Sequence, residues 1–458
     1  MTASGLELAR QTMAEGDVHE LAIEVFSHNY SLLESGETGV IAEEDVEPLT
    51  GVARLDDLDV DPEASREALG ACAVVKLNGG LGTSMGMSRA KSLLPVRGDR
   101  SFLDMIALQV LAARQRHDVQ LPVLFMNSFR TRDDTLSALA AYPDLPVDGV
   151  PLDFLQNREP KLLADDLTPV RWPADPSLEW CPPGHGDLYT ALEASGTLGR
   201  LLDAGYRYAC VSNADNLGAS PDARMAGWFA GSGAPYAAEV CRRTPADRKG
   251  GHLVRRRSDG RLVLRETAQT RDEDAEQAAD IDRHPYFHTN NLWFDLRVLA
   301  DTLSQRDGVL GLPLIRNEKT VDPSDSTSPR VVQIETAMGA AVEVFDGAQA
   351  IEVGRERFLP VKTTNDLLLL RSDVYTVADD GTLDRTVDDV ALVDLEPGYY
   401  AGIDGFDQRF PYGPPSLRRA RRLRVEGDWT FGADVVVTGE AVLGPEGGQL
   451  PDGSEVGD

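Results

Sequence analysis

The sequence predicts an α/β protein: a parallel sheet with covering helices, preceded by a helical segment and closed by a short parallel β-helix. Three observations carry this. From residue 71 onward, apolar runs of strand length alternate with helix-patterned stretches, as in a parallel sheet with crossover helices. The apolar runs end abruptly in polar or glycine-rich turns, where ligands of such sheets sit. Near the C-terminus, apolar residues recur every six positions, the period of stacked parallel coils. A chain of 458 residues with 42% hydrophobic content buries a large core, and its length suits two or three domains.

Leu6, Leu8 and Met13, then Leu21, Ile23, Val25 and Phe26, give residues 5 to 35 an imperfect helical spacing. Residues 71–77 form the first strand-length run, 102–115 a helix, and 122–129 and 206–213 two further strands. Each strand runs straight into a polar group: Asn78-Gly79-Gly80, Asn127-Ser128, and Ser212-Asn213-Ala214-Asp215. Residues 252–266 alternate around Ser258-Asp259-Gly260 and predict a β-hairpin. Val425, Phe431, Val437 and Leu443 carry the hexad period, with Gly427, Gly432 and Gly439 between them. About one coil is supported before the register degrades into an acidic, Gly-rich end, a short rung or a frayed tail. Arg418, Arg419, Arg421 and Arg422 predict a solvated or internally paired strip. These changes divide the chain into 1–65, a helical N-terminal segment; 66–370, the main domain; and 371–458, the C-terminal part.

The formal net charge of −30 repels nucleic acid and anionic membranes, so neither is a partner. No apolar run reaches bilayer length, and the N-terminus lacks a basic-then-apolar signal region. Cys72, Cys181, Cys210 and Cys241 have no metal-ligand spacing and predict reduced thiols in a cytoplasmic protein. Of the 45 basic residues only six are lysines: Lys76, Lys91, Lys161, Lys249, Lys319 and Lys362. Against such an arginine excess, lysine persists where a compact ammonium is needed, which singles out Lys91 and Lys362.

The most informative segment is residues 75–94. A strand empties into Asn78-Gly79-Gly80-Leu81-Gly82-Thr83-Ser84-Met85-Gly86, and Lys91 follows five residues later. Glycines at this density turn backbone N–H groups toward phosphates or planar bases, and a cation downstream neutralises phosphate charge. The pattern predicts a nucleotide site, against the plainer alternative of a Gly-rich turn that binds nothing. A Walker A loop is excluded because Met85 and Ala90 stand where its glycines belong. A dinucleotide fingerprint is excluded because Gly80, Gly82 and Gly86 are spaced one residue too far.

Residues 77–86 (LNGGLGTSMG) and 90–94 (AKSLL) are followed in order by 182–189 (PPGHGDLY), 212–218 (SNADNLG), 288–293 (HTNNLW) and 358–368 (FLPVKTTNDLL). Together they resemble the eukaryotic-type UTP–glucose-1-phosphate uridylyltransferase (UDP-glucose pyrophosphorylase) family, over about residues 70 to 445. The resemblance implies a Rossmann-like, GT-A-like nucleotidyltransferase domain and a C-terminal left-handed β-helix. It also implies the reaction: the phosphate of glucose-1-phosphate attacks the α-phosphorus of UTP, giving UDP-glucose and pyrophosphate. That nucleophile is already anionic near neutral pH, so positioning and charge stabilisation carry the catalysis.

On this resemblance Lys91 and Lys362 are the catalytic cations, and Leu77, Asn78, Gly79, Gly80, Gln156 and Gly184 join them in holding UTP. Gln156 both donates and accepts, which suits the uracil edge. Asp215, at a strand end, is the ligand for Mg²⁺, which prefers one or two carboxylates plus substrate phosphates; the alternative is an Asx-turn or helix cap. His185 contacts the sugar phosphate, and Asn213, Asp215, Glu266, Asn290 and Asn291 complete the sugar side. Two rivals stay open, a broader UDP-sugar or UDP-N-acetylhexosamine pyrophosphorylase and a non-catalytic sugar-nucleotide-binding protein; the joint presence of Lys91, Asp215 and Lys362 disfavours the second. The expected assembly is a monomer or small homo-oligomer, because a short β-helix ending in Glu446, Asp452, Glu455 and Asp458 offers a poor, self-repelling end.

Overall fold

The computed structural model describes residues 4–244, 247 and 250–458; Lys249 lies outside them. Helices α1 (Gly5–Glu15) and α2 (Glu20–Glu34) form the N-terminal segment, α1 opened by a capping box between Ser4 and Glu7. Their apolar stripe, with Ala9, Met13, Ile23, Phe26 and Tyr30, packs on Leu162, Leu314, Val332 and Ile334. Helix α3 (Pro62–Gly70), started by Asp61 and Pro62, spans the division expected at residue 65. It packs closely on α6 (Ala223–Ser232), where a Cβ on Gly227 would lie 2.4 Å from Ser65 Oγ.

The central sheet has seven strands: β1 (Cys72–Asn78), β2 (Val123–Asn127), β3 (Asp153–Leu155), β4 (Tyr208–Asn213), β5 (Tyr236–Arg242), β6 (Tyr286–Asp295) and β7 (Gln349–Glu352). Their order is β7-β5-β6-β4-β1-β2-β3. Strand period sends Cys72 and Val74 into one core, Ala73 and Val75 into the other. Helix α4 (Phe102–His117) covers the first face, α5 (Leu188–Ala194) the second.

The sheet is not wholly parallel as predicted. Strand β6 runs antiparallel to both β4 and β5. Between β5 and β6 the described residues supply the predicted hairpin, His252–Arg256 paired with Leu262–Arg265, and no crossover helix of the length a parallel connection needs. The β5–β6 ladder breaks between Ala238 and Val240, where Glu239 alone stands opposite Thr289, Asn290 and Asn291, so the bulge lies on β6.

At the C-terminus, β8 (Leu392–Leu395), β9 (Ser416–Val425), β11 (Val436–Leu443) and β13 (Glu455–Gly457) stack in parallel, as do β10 (Trp429–Phe431) and β12 (Gly448–Leu450). Val425 pairs with Leu443 and Phe431 with Leu450, so one coil takes three hexads or slightly more. The hexad residues Val425, Phe431, Val437 and Leu443 are all buried. The register does not degrade after Leu443: β12 and β13 add a rung. Positive φ at Gly447, Gly448 and Gly453 turns its corners, Leu450 is buried, and Arg419–Glu455 (2.9 Å) and Arg421–Asp458 (3.5 Å) pair the arginine strip with the acidic tail. Among the described residues no helix is long and apolar enough to cross a membrane.

Candidate active site

The ends of β1, β2, β3 and β4 open onto a cavity of about 330 Å³. Leu77, Asn78, Gly79 and Gly80 form one wall, Gln156, Gly184 and His185 another, and Asn213, Asp215, Lys91 and Lys362 converge from the rest. Met126, Ser92, Pro182 and Ala214 also line it; none is polar enough, or unusual enough in context, to stand out from sequence alone.

The glycine loop closes on itself. Gly82 N donates to Arg89 O, and Lys91 N donates to Gly80 O at 3.2 Å, returning Lys91 to the loop's mouth. Its ammonium donates to Asp215 Oδ2 at 2.8 Å and to the carbonyl of Val361, the residue before Lys362. Lys362 Nζ makes no ion pair or hydrogen bond with the described residues, which leaves a free cation at the cavity's edge. The Asn78 side chain turns away, donating to Asn127 Oδ1 (2.8 Å) and Thr135 Oγ1 (2.9 Å), so its backbone alone faces the cavity. Gln156 packs directly on Gly79, where a Cβ would stand 2.4 Å from its Oε1.

Gly184 has a φ of +78°, and a Cβ there would also meet Thr336 O at 2.6 Å. That backbone bend presents His185, half-buried in the cavity wall. Its Nδ1 accepts from Met338 N at 2.9 Å, which assigns the proton to Nε2. Burial, then the charge of Lys362, pushes the imidazole down to about 4, so it stands neutral as an Nε2–H donor.

The loop after β4 is held from behind. Lys76, buried, donates to Ser212 Oγ (2.8 Å) and Ala219 O (2.7 Å), and burial lowers its ammonium to about 8. The Asx-turn in this loop belongs to Asn216, whose Oδ1 accepts from Gly218 N (3.2 Å) and Leu359 N (2.8 Å). Asp215 is therefore free for other work. One of its oxygens takes Lys91, and Oδ1 is buried with no hydrogen-bond partner. That orphaned oxygen fits a divalent cation completed by phosphate oxygens. No cluster of three His, Cys, Asp or Glu side chains with metal-holding geometry occurs among the described residues.

The expected sugar-binding pair Asn290-Asn291 splits. Asn290 takes a left-handed backbone (φ 58°) and pairs with His288 Nδ1 at 3.0 Å. Asn291 is buried, its amide donating to Glu239 Oε2 (3.0 Å) and Arg357 O (3.2 Å) and accepting from Asn216 Nδ2 (3.1 Å). Every polar atom of the Asn291 side chain is thereby used, and it braces the site without facing it. Burial raises the Glu239 carboxyl, but the Arg357 guanidinium, with Trp293 and Asn291, offsets this and holds it below its ordinary value. Neither Asn290 nor Glu266 lines the cavity. Burial raises the Glu266 carboxyl and the charge of Lys362 opposes the rise.

The family model of UTP–glucose-1-phosphate uridylyltransferase matches residues 23–438. The chain belongs to that family. The Solanum tuberosum member is 37% identical over 411 residues, covering 88% of this chain and 83% of its own. The Saccharomyces cerevisiae member is 36% identical over 394, covering 84% and 77%. UDP-glucose pyrophosphorylase from Leishmania major, solved as a point mutant in complex with UDP-glucose, superposes with a TM-score of 0.93 at 42% identity, over 100% of this chain and 99% of that one. A Trypanosoma brucei relative gives 0.91 at 42%, over 99% and 98%. The family's chemistry is nucleotidyl transfer, and the chain is a UTP–glucose-1-phosphate uridylyltransferase-type enzyme.

Proposed function

We propose that this chain forms UDP-glucose and pyrophosphate by in-line attack of glucose-1-phosphate on the α-phosphorus of UTP, with its own residues in the following roles. One observation carries the reading: Lys91, Asp215, His185 and Lys362, spread over 272 positions of the sequence, meet in one cavity at the strand ends. Leu77 to Gly80 and Gly184 hold UTP through their backbones, and Gln156 reads the uracil edge. Lys91 takes charge on the departing pyrophosphate. Lys362, unpaired, lies between the two phosphorylated substrates and draws them together. His185 donates from Nε2 to the sugar phosphate. Asn213 receives sugar hydroxyls from the cavity wall, Asn290 and Glu266, set outside the cavity, meet the part of the sugar that extends beyond it, and Asn291 acts from behind. Asp215 Oδ1 would hold Mg²⁺, whose chemistry when bound is neutralisation of phosphate charge.

The same reading assigns a Rossmann-like, GT-A-like catalytic domain, supported by six co-directional strands of seven, and a left-handed β-helix, supported by the near-three-hexad coil. The enzyme is cytoplasmic, with four unpaired cysteines, and a monomer or small homo-oligomer. Arg419 and Arg421 neutralise part of the tail, so that last assignment rests on the small end face with Glu446 and Asp452.

A pyrophosphate-release assay over UTP, CTP and TTP and over glucose-, galactose- and N-acetylglucosamine-1-phosphate tests it. UTP with glucose-1-phosphate should dominate, with activity abolished by chelator and by Asp215→Asn. Equal turnover of an N-acetylhexosamine phosphate would favour the broader pyrophosphorylase, and full activity in excess chelator would remove the role of Asp215.

A further inference from the structure

We propose that Asp187 is a positioning residue that locks base recognition to sugar-phosphate recognition, an inference that rests on the functional reading above. The two substrates are contacted by different loops. Gln156 leaves β3 beside Gly79, and His185 sits in the turn that opens α5. Asp187 joins them. From the His185 turn its carboxylate reaches the residue after Gln156 and accepts twice: Asn157 N donates to Oδ2 at 2.6 Å and Asn157 Nδ2 to Oδ1 at 2.8 Å.

Both loops are otherwise fastened to different bodies. Gln156 N donates to Asn127 O at 2.8 Å, on β2. The His185 turn is clamped to residues 336–338: Thr336 N donates to Pro183 O, Met338 N donates to His185 Nδ1, and a Cβ on Gly186 would meet Thr336 Oγ1 at 2.2 Å. The Asp187–Asn157 clasp is thus a direct side-chain tie between the two loops. Asp187 is 5% exposed, so its carboxylate finds almost no water in place of Asn157. Burial pushes it up to about 7 against the pull of the two Asn157 donors. Each of its two oxygens takes one N–H of Asn157, so this buried acceptor pair is spent on joining the two loops.

The exchange of the two side chains provides the test. Asn157→Leu keeps approximate size but offers neither donor nor acceptor, so the side-chain arm of the clasp is lost, whereas Asp187→Asn would simply re-form both arms by a flip of the Asn157 amide. In the double variant Asp187→Asn/Asn157→Asp, Asn at 187 accepts from the backbone N–H of 157 and donates to its carboxylate, keeping both arms. For N157L, discrimination between UTP and CTP in kcat/KM should fall by on the order of 10-fold, with KM for UTP raised, as follows from losing one buried hydrogen bond. The exchange variant should hold both to within about threefold of wild type. A lesion of folding alone lowers the active fraction and leaves KM and base discrimination unchanged. Should N157L not fold, Asn157→Ala removes the same arm and is read the same way.

Unchanged discrimination and KM in N157L, or in Asn157→Ala where N157L does not fold, would overturn the proposal, as would an exchange variant no better than N157L. Wild-type enzyme run alongside separates the two levels: no UDP-glucose from wild type removes the functional reading, whereas wild-type turnover with an indifferent N157L removes the clasp alone.

Discussion

Gly79→Ala is the sharpest perturbation of the base site, because its effect is transmitted through one neighbour. Gly79 is not in the left-handed region, so alanine brings no backbone strain. Its Cβ would instead lie 2.4 Å from Gln156 Oε1, 2.9 Å from Cδ and 3.1 Å from Nε2. Restoring ordinary contact moves the amide by about 1 Å, enough to spoil a hydrogen bond set at ~2.9 Å. The uracil edge then loses its partner while still leaving water, at about 1–3 kcal/mol. That corresponds to roughly 5- to 150-fold in kcat/KM for UTP. Gln156→Ala removes the same partner and opens the space the new methyl needs. The double variant should therefore be no worse than Gln156→Ala alone, with a coupling energy close to the whole Gly79→Ala effect. Steady-state kinetics with UTP and CTP on the four proteins measures this. Multiplicative losses in the double variant would refute the reasoning, since they would mean that Gly79 acts through its backbone and not through Gln156.

Lys91→Ala and Lys362→Ala should each lower kcat by about 10²–10³, the usual loss of a preorganised donor to developing charge; near wild-type turnover at saturating substrate would remove their assigned roles. Arg357→Leu leaves the fully buried Glu239 carboxylate without its 2.7 Å partner and should cost about 3–5 kcal/mol, read as a lowered urea midpoint that Glu239→Gln partly recovers; an unmoved midpoint would mean that Asn291 and Trp293 suffice. His185 titrates at about 4 when folded against an ordinary 6.5. Its neutral form is the one the fold favours, so its contribution is complete above pH 6.5 and is lost as pH falls toward 4, a swing of about 3 kcal/mol. His185→Gln should flatten that part of the acid limb of Tm against pH, and parallel limbs for the two proteins would contradict the assignment.

Local patterns along the chain specify the elements and the wall of the site nearest the first strand. Alternating apolar runs, the glycines of residues 79–86 and the six-residue period from Val425 to Leu443 are local patterns, and local backbone sterics translate them directly into strand, loop and coil. Their positions place Leu77 to Gly80, Asn213 and Asp215 at strand ends without any knowledge of packing. Tertiary structure alone decided what those residues do. Lys91 meets the Val361 carbonyl across 270 residues and Arg357 meets Glu239 across 118; partners so distant leave no trace in spacing. A backbone N–H, that of Met338, fixes the His185 tautomer, and every non-proline residue carries such a donor, so no residue type announces it. Adjacent asparagines looked equivalent as letters, yet the left-handed turn at Asn290 and the buried Glu239–Arg357 pair send Asn290 and Asn291 to different tasks. The antiparallel β6 and the final rung were settled the same way, by ladder partners and ion pairs that form only once distant segments are brought side by side.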